Sequence, residues 1–95
     1  MDFNWQNPPF EFEGSLTQQE VEESFEDPFA VRLMPDTERF GVQARFFNLG
    51  RSAAGVGVIS LYRTNGRMVR VIHARPFTTE EQFFYQRKAN LMLAQ

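Results

Sequence analysis

Four side chains in the second half of the chain are suited to chemistry on a phosphate group. Arg51 lies in a loop bounded by glycines. His73 and Arg75 lie near the end of a strand pattern, and Tyr85 follows in a helix pattern. A guanidinium presents a flat fork of donors that suits phosphate or carboxylate. An imidazole, whose free pKa is near neutrality, is the natural general acid or base. These residue types indicate phosphate binding together with proton transfer.

A predicted hairpin brings these side chains together. The dipeptide Asn65–Gly66 favours a two-residue turn, because it accepts positive φ at both turn positions. That turn predicts a register in which Val58 faces His73 and Val56 faces Arg75.

Strand alternation then places His73 and Arg75 on one face and Arg70 on the other. Arg51 joins them at the end of the sheet where the last helix begins, at Thr78. A helix start carries unpaired N–H groups and partial positive charge, which favour a phosphate.

Each of these residues also has a structural interpretation. Arg51 could be a solvated loop residue, and Arg75 could pair with carboxylates of an acidic first helix. His73 could be an ordinary sheet residue, Tyr85 a half-buried packing residue, and Glu81 a helix cap. We keep both interpretations open at this point.

The elements that must position these residues are predicted from periodicity and caps. Capping boxes at Thr17/Glu20 and Thr78/Glu81 predict a short helix over 18–26 and a longer one to about residue 92. Alternating residues predict strands at 29–34, 40–49, 56–62 and 67–75, with a short edge strand at 2–5 also compatible with the sequence. We therefore expect one α+β domain over 1–95. It has an antiparallel sheet of about four strands, flanked by a short N-terminal and a longer C-terminal helix.

Composition excludes several classes of protein. The chain has 42% hydrophobic residues and eleven Phe, too much apolar surface for a disordered chain. It has no Cys and one His, which excludes thiol chemistry and the usual His or Cys metal clusters. There is no run of about 18 apolar residues, and the first residues lack the basic and apolar regions expected of a signal peptide. We expect a cytoplasmic protein with no cofactor, no metal and no membrane association.

Charge is divided unevenly along the chain. Residues 1–38 hold ten acidic residues and one basic residue, whereas residues 39–95 hold nine basic and two acidic residues. Two interpretations follow: the halves neutralise each other within the domain, or the molecule has an acidic face and a basic, anion-binding face.

Several segments together resemble the BrnT-type toxins, metal-independent ribonucleases of bacterial toxin–antitoxin systems. The segment with the most specific match is Arg70–Arg75, continued by Thr78, Glu81 and Tyr85 in the spacing A-R-x-x-T-x-x-E-x-x-x-Y. Weaker matches are Phe3-x-Trp5, Glu22 to Pro28, and Leu49 to Ser52 followed by Gly55. The similarity extends from about residue 16 to residue 88.

This resemblance implies a RelE-like fold, an RNA substrate and a ribbon-helix-helix antitoxin, with DNA bound only through the antitoxin complex. It places Arg51 and Arg75 at the phosphate, with Glu81 and Tyr85 beside them. The sequence departs from the family at 13–15, which reads Glu-Gly-Ser where Lys-His-Gly is usual, and at His73, where Ser is usual.

The expected function is therefore a metal-independent endoribonuclease that acts by 2′-hydroxyl attack on the adjacent phosphate. Its expected catalytic residues are Arg51, His73, Arg75 and Tyr85, and Arg51 and Arg75 also bind RNA. Because the basic pair is missing, the alternative is a catalytically degenerate BrnT-like protein that binds a partner protein. Plain nucleic-acid binding is a third hypothesis, which the net charge of -2 disfavours. Homo-oligomerisation is left open.

Overall fold

The computed structural model describes residues 2–8, 11–12, 16–33 and 45–93. The elements, in chain order, are β1 (Asp2–Phe3), α1 (Gln18–Glu26), β2 (Val31–Leu33), β3 (Phe46–Arg51), β4 (Gly57–Thr64), β5 (Met68–Pro76) and α2 (Thr79–Leu93). Both predicted helices are present. The first half of the strand predicted over 40–49 lies largely outside the described residues.

The five strands form one sheet in the order β1-β5-β4-β3-β2. β1 runs parallel to β5, and the other neighbours are antiparallel. The α+β class with two helices is as predicted, but the sheet is mixed and five-stranded rather than antiparallel and four-stranded. The extra strand is held by its one apolar side chain: the Phe3 ring meets the Phe25 ring edge-on, with centroids 5.2 Å apart.

Helix α1 begins at the predicted capping box. The Glu20 backbone N–H donates to Thr17 Oγ1 at 3.2 Å, and the Thr17 backbone N–H donates to Glu20 Oε1 at 3.1 Å. Its inner face buries Val21 and Phe25, and Leu16 before the cap joins the same core. The capping box and the packing of Leu16 together fix where α1 starts and which face it turns to the sheet.

The main core lies between α1 and one face of the sheet. Its strand members are Val58, Tyr62, Val69, Val71 and Ala74. α1 approaches β3 so closely that a Cβ on Gly50 would lie 2.0 Å from the Ser24 carbonyl oxygen. Asn48, two residues earlier, donates its side-chain amide to the same carbonyl at 3.2 Å.

Helix α2 packs on the other face of the sheet. Asn48 and Gly50 face α1, so alternation directs Leu49 and Arg51 away from it. α2 contacts β3 there, and Leu49 is only 2% exposed. Neither α1 nor α2 is long and apolar enough to cross a membrane.

The predicted hairpin register is wrong. Thr64 pairs with Val69, so the connection around Asn65–Gly66 has four residues, 65–68, rather than two. The Asn65 side chain accepts from the Arg67 and Met68 backbone N–H groups, at 2.9 Å each, and this widens the turn.

A β-bulge follows in β5 and changes which side chains share a face. Tyr62 pairs with Val71 but Leu61 pairs with His73, so Ile72 is an extra residue in β5. The predicted separation of Arg70 from His73 is therefore wrong, as are the pairings of Val58 with His73 and of Val56 with Arg75. Arg70, His73 and Arg75 all lie on the sheet face away from α1.

Candidate functional site

Arg51 and Tyr85, two of the four predicted site residues, are in direct contact. Arg51 ends β3, and its guanidinium carbon lies 4.8 Å from the centroid of the Tyr85 ring. The guanidinium also donates to Gln86 Oε1 at 3.2 Å. A cation held over an aromatic ring and hydrogen-bonded at one edge is fixed in direction, so Arg51 is more than a solvated loop residue.

Asp27 holds this pair in place. Its Oδ2 accepts the Arg51 backbone N–H at 2.7 Å and the Tyr85 hydroxyl at 2.5 Å. Its Oδ1 accepts the Phe29 backbone N–H at 2.8 Å. One carboxylate therefore joins the end of α1, the end of β3 and the second turn of α2. No local sequence pattern identifies Asp27 as part of the site, because Tyr85 reaches it from 58 residues away.

This environment changes the acidity of the Tyr85 hydroxyl. Burial of the ring, followed by the hydrogen bond to Asp27 and the charge of that carboxylate, raises the pKa of Tyr85 to about 12. The nearby Arg51 charge acts in the opposite direction and is the smaller effect. At neutral pH Tyr85 is therefore a neutral hydrogen-bond donor whose proton is directed to Asp27.

The Arg51–Tyr85 pair borders an open cavity of about 460 Å³. Three carboxyl-bearing residues line the same cavity, Glu23, Glu26 and Asp27. Glu23 Oε1 is already engaged by the Ala53 backbone N–H at 3.1 Å. The cavity offers one guanidinium and one phenol in a setting that is acidic overall.

Arg75 is engaged by Glu81 rather than by α1. Its two terminal nitrogens donate to the two carboxylate oxygens at 2.7 and 2.8 Å. Glu81 also caps α2, accepting the Thr78 backbone N–H at 2.8 Å, so the predicted capping box is confirmed. The hydrogen bonds from Arg75 are the largest cause that lowers the pKa of Glu81.

The two arginine pairs lie side by side. Glu81 and Tyr85 are four residues apart on α2 and share one face of that helix. Arg75 with Glu81 and Arg51 with Tyr85 therefore occupy successive turns at the start of α2. Each arginine contacts a side chain in the first two turns of α2, and the joint binding of one phosphate by both arginines stays a prediction.

His73 lies apart from this pair of contacts. It is half-buried on β5 opposite Leu61, on the same sheet face as Arg75 and two residues before it. Along a strand that spacing is about 6–7 Å between Cα atoms. His73 does not line the cavity beside Arg51. In the part of the chain that the structure describes, no three His, Asp or Glu side chains group closely enough to hold a metal ion.

The two charged halves do not neutralise each other through ion pairs in the described residues. The ion pair formed there joins Arg75 to Glu81, and both belong to the basic half. Arg32 of the acidic half donates to a main-chain oxygen, that of Phe25, and to the Asn48 amide. The acidic residues at the end of α1 and Arg51 of β3 line one cavity without forming an ion pair.

Comparison with known proteins gives no relative. No protein-family model matches the chain, and no curated protein or solved structure shows significant similarity to it. The BrnT resemblance therefore depends on the motif residues of this sequence alone.

Proposed function

We propose that this protein is a metal-independent endoribonuclease toxin similar to the BrnT type, with a RelE-like fold and a cytoplasmic site of action. The observation that supports it is the placement of Arg51 on Tyr85 and Arg75 on Glu81, on successive turns of one helix. An open cavity borders the Arg51–Tyr85 pair. Its partners under this proposal are RNA and a ribbon-helix-helix antitoxin, which brings DNA into the complex.

The reaction needs charge stabilisation and two proton movements. The 2′-oxygen of the ribose attacks the adjacent phosphorus, the bond from phosphorus to the 5′-oxygen breaks, and a cyclic 2′,3′-phosphate and a 5′-hydroxyl result. Arg51 and Arg75 stabilise the charge that grows on the phosphoryl oxygens. His73, on the face that carries Arg75, moves a proton between the 2′- and 5′-oxygens. Tyr85 orients Arg51 and offers a ring on which a base can stack.

The test is RNA cleavage by the purified protein in a buffer with a chelator. We expect cleavage to persist, and Arg51→Ala and Arg75→Ala each to lower its rate about 100- to 1,000-fold. Arg87→Ala removes an exposed guanidinium on the outer side of α2 and is the matched control, with its rate unchanged. Equal rates for the wild type and a folded Arg75→Ala protein would reject the proposal.

A non-catalytic interaction protein is the second candidate, and one observation favours it. Arg75 is already bound at both nitrogens by Glu81, and the Arg51 cavity is lined by three carboxyl groups. These arginines are therefore less available to a phosphate than arginines whose N–H groups have no acceptor. Expression in a bacterial host separates the two candidates, because a toxin arrests growth and the Arg75→Ala variant relieves the arrest, whereas a binding protein leaves growth unaffected.

A further inference from the structure

A second basic pair lies at the opposite end of the sheet from Arg51. Arg63 on β4 and Arg70 on β5 are directly opposite each other in the register. Like charges at directly opposed positions of neighbouring strands destabilise a sheet. From Gly57, which pairs with Arg51, to Arg63 is six residues along β4, or about 20 Å.

No carboxylate of the described residues neutralises either guanidinium of this pair. Arg70 donates to the main-chain oxygens of Asn4, Gln6 and Asn7, which are neutral acceptors. Arg63 is exposed and forms no hydrogen bond or ion pair within the described segments. Arg70 therefore keeps its full charge but is held rigidly, with two of its five N–H groups uncommitted.

The two arginines border a shallow depression of about 250 Å³ whose other lining residues are uncharged. The lining consists of Asn4, Arg63, Thr64, Asn65, Met68 and Arg70. Asp2, which pairs with Met68 in the register, is not in the lining. The cavity beside Arg51 differs in charge, because three carboxyl groups line it.

We propose that Arg63 and Arg70 form a phosphate-binding site. Its ligand is a phosphate group, held by the fork of Arg63 and the free N–H groups of Arg70, with side-chain amides at the edge. The site does not depend on the ribonuclease reaction, because it lies about 20 Å along β4 from the position that pairs with Arg51. The phosphate comes either from a free anion or from the backbone of a single-stranded nucleic acid.

The test is a nuclear magnetic resonance titration of the full chain with inorganic phosphate and, separately, with a single-stranded DNA oligonucleotide. DNA is used because it lacks the 2′-hydroxyl and is not cleaved. We expect both ligands to shift the backbone signals of residues 63–70. Arg63→Ala is expected to weaken oligonucleotide binding about five- to tenfold and to lower the slope of log affinity against log salt by about 1. If phosphate binds but the oligonucleotide does not compete for it, the site holds a free anion.

Arg87→Ala is the matched control, because it removes an equally exposed arginine from α2. Arg63 has no partner to lose, so its removal leaves the fold intact, whereas Arg70→Ala would also release the N-terminal segment. An equal weakening by Arg63→Ala and Arg87→Ala, or no shift at 63–70 with either ligand, would overturn the proposal. Both outcomes are independent of whether RNA is cleaved.

Discussion

At the scale of single residues, Asp27 is the centre of the candidate site. It accepts a backbone N–H and a phenol on one oxygen and a second backbone N–H on the other. Sequence reasoning identified Arg51 and Tyr85, because their types suggest chemistry. It could not identify Asp27, because that residue acts through contacts separated by 24 and 58 positions in the chain.

Asp27→Asn is expected to lower the pKa of Tyr85 from about 12 toward its ordinary value. The amide keeps an acceptor oxygen but removes the negative charge that disfavours the phenolate. The measurement is the ultraviolet titration of the phenol in a Tyr62→Phe background, since burial also raises the pKa of Tyr62. An unchanged titration in Asp27→Asn would show that burial alone sets the acidity of Tyr85.

The raised pKa of Tyr85 also predicts a dependence of stability on alkaline pH. The unfolded chain releases the phenolic proton near pH 10, whereas the folded chain holds it to about pH 12. The stabilisation is therefore complete below pH 10 and is lost as pH rises between these two values. Tyr85→Phe should flatten this part of the curve of unfolding free energy against pH, and a curve of unchanged steepness would contradict the assignment.

Glu81 gives the corresponding prediction in acid. Arg75 lowers the pKa of Glu81 in the folded chain, so the unfolded chain binds its proton at higher pH. The stabilisation is present above the unfolded pKa and is lost as pH falls through the folded pKa. Glu81→Gln should remove this acid dependence, measured by urea unfolding at several pH values. Glu80→Gln, its exposed neighbour without a contact to Arg75, should retain the acid dependence.

At the scale of elements, local sequence signals predicted the helix starts correctly, whereas the long-range pairing of strands was predicted wrongly. Both capping boxes occur where the sequence places them, because a cap depends on residues within one helical turn. The β4–β5 register differs from the predicted one, because the Asn65 side chain widens the turn and Ile72 forms a bulge. A period-2 pattern cannot show an inserted residue when apolar residues occupy both faces of the strand, as they do in β5.

The contact between α1 and β3 gives a prediction at this scale. Gly50→Ala should lower the free energy of unfolding by about 2–3 kcal/mol, because the new Cβ would meet the Ser24 carbonyl and push α1 off the sheet. Urea denaturation measures the change.

Gly55→Asn is the matched control for Gly50→Ala. Gly55 has a φ of +87° and nothing within 4 Å of an added Cβ. Asn tolerates that backbone region, so the loss should stay below about 1 kcal/mol. If Gly50→Ala costs no more than Gly55→Asn, α1 does not approach β3 as closely as the structure shows.

At the scale of the whole molecule, the distribution of charge determines what the protein can bind. The sequence showed the division into an acidic and a basic half but left open whether the halves neutralise each other. Among the described residues no ion pair joins an arginine to a carboxylate of α1, and the ion pair that is present joins Arg75 to Glu81 of α2. Composition could not show it, because pairing depends on which faces the fold turns toward each other.

The carboxylates of α1 that form no ion pair among the described residues predict that this helix opposes the approach of a nucleic acid. Glu22 and Glu26 are four residues apart on α1, and Glu26 borders the cavity that holds Arg51. At about 10 Å in water each like charge costs about 0.4 kcal/mol. Changing both to Gln should therefore raise the affinity for a single-stranded oligonucleotide about two- to fourfold at low salt.

Ionic strength provides an internal control for the double variant Glu22→Gln and Glu26→Gln. At 0.5 M salt the screening length is far below 10 Å, so the double variant and the wild type should bind alike. The substitutions also remove a like-charge pair and an anion near the C-terminus of α1, so stability should rise by a few tenths of a kcal/mol. A gain in affinity that persists at high salt would mean that these glutamates contact the ligand directly. In that case the acidic surface of α1 would be part of the binding site rather than a distant repulsive charge.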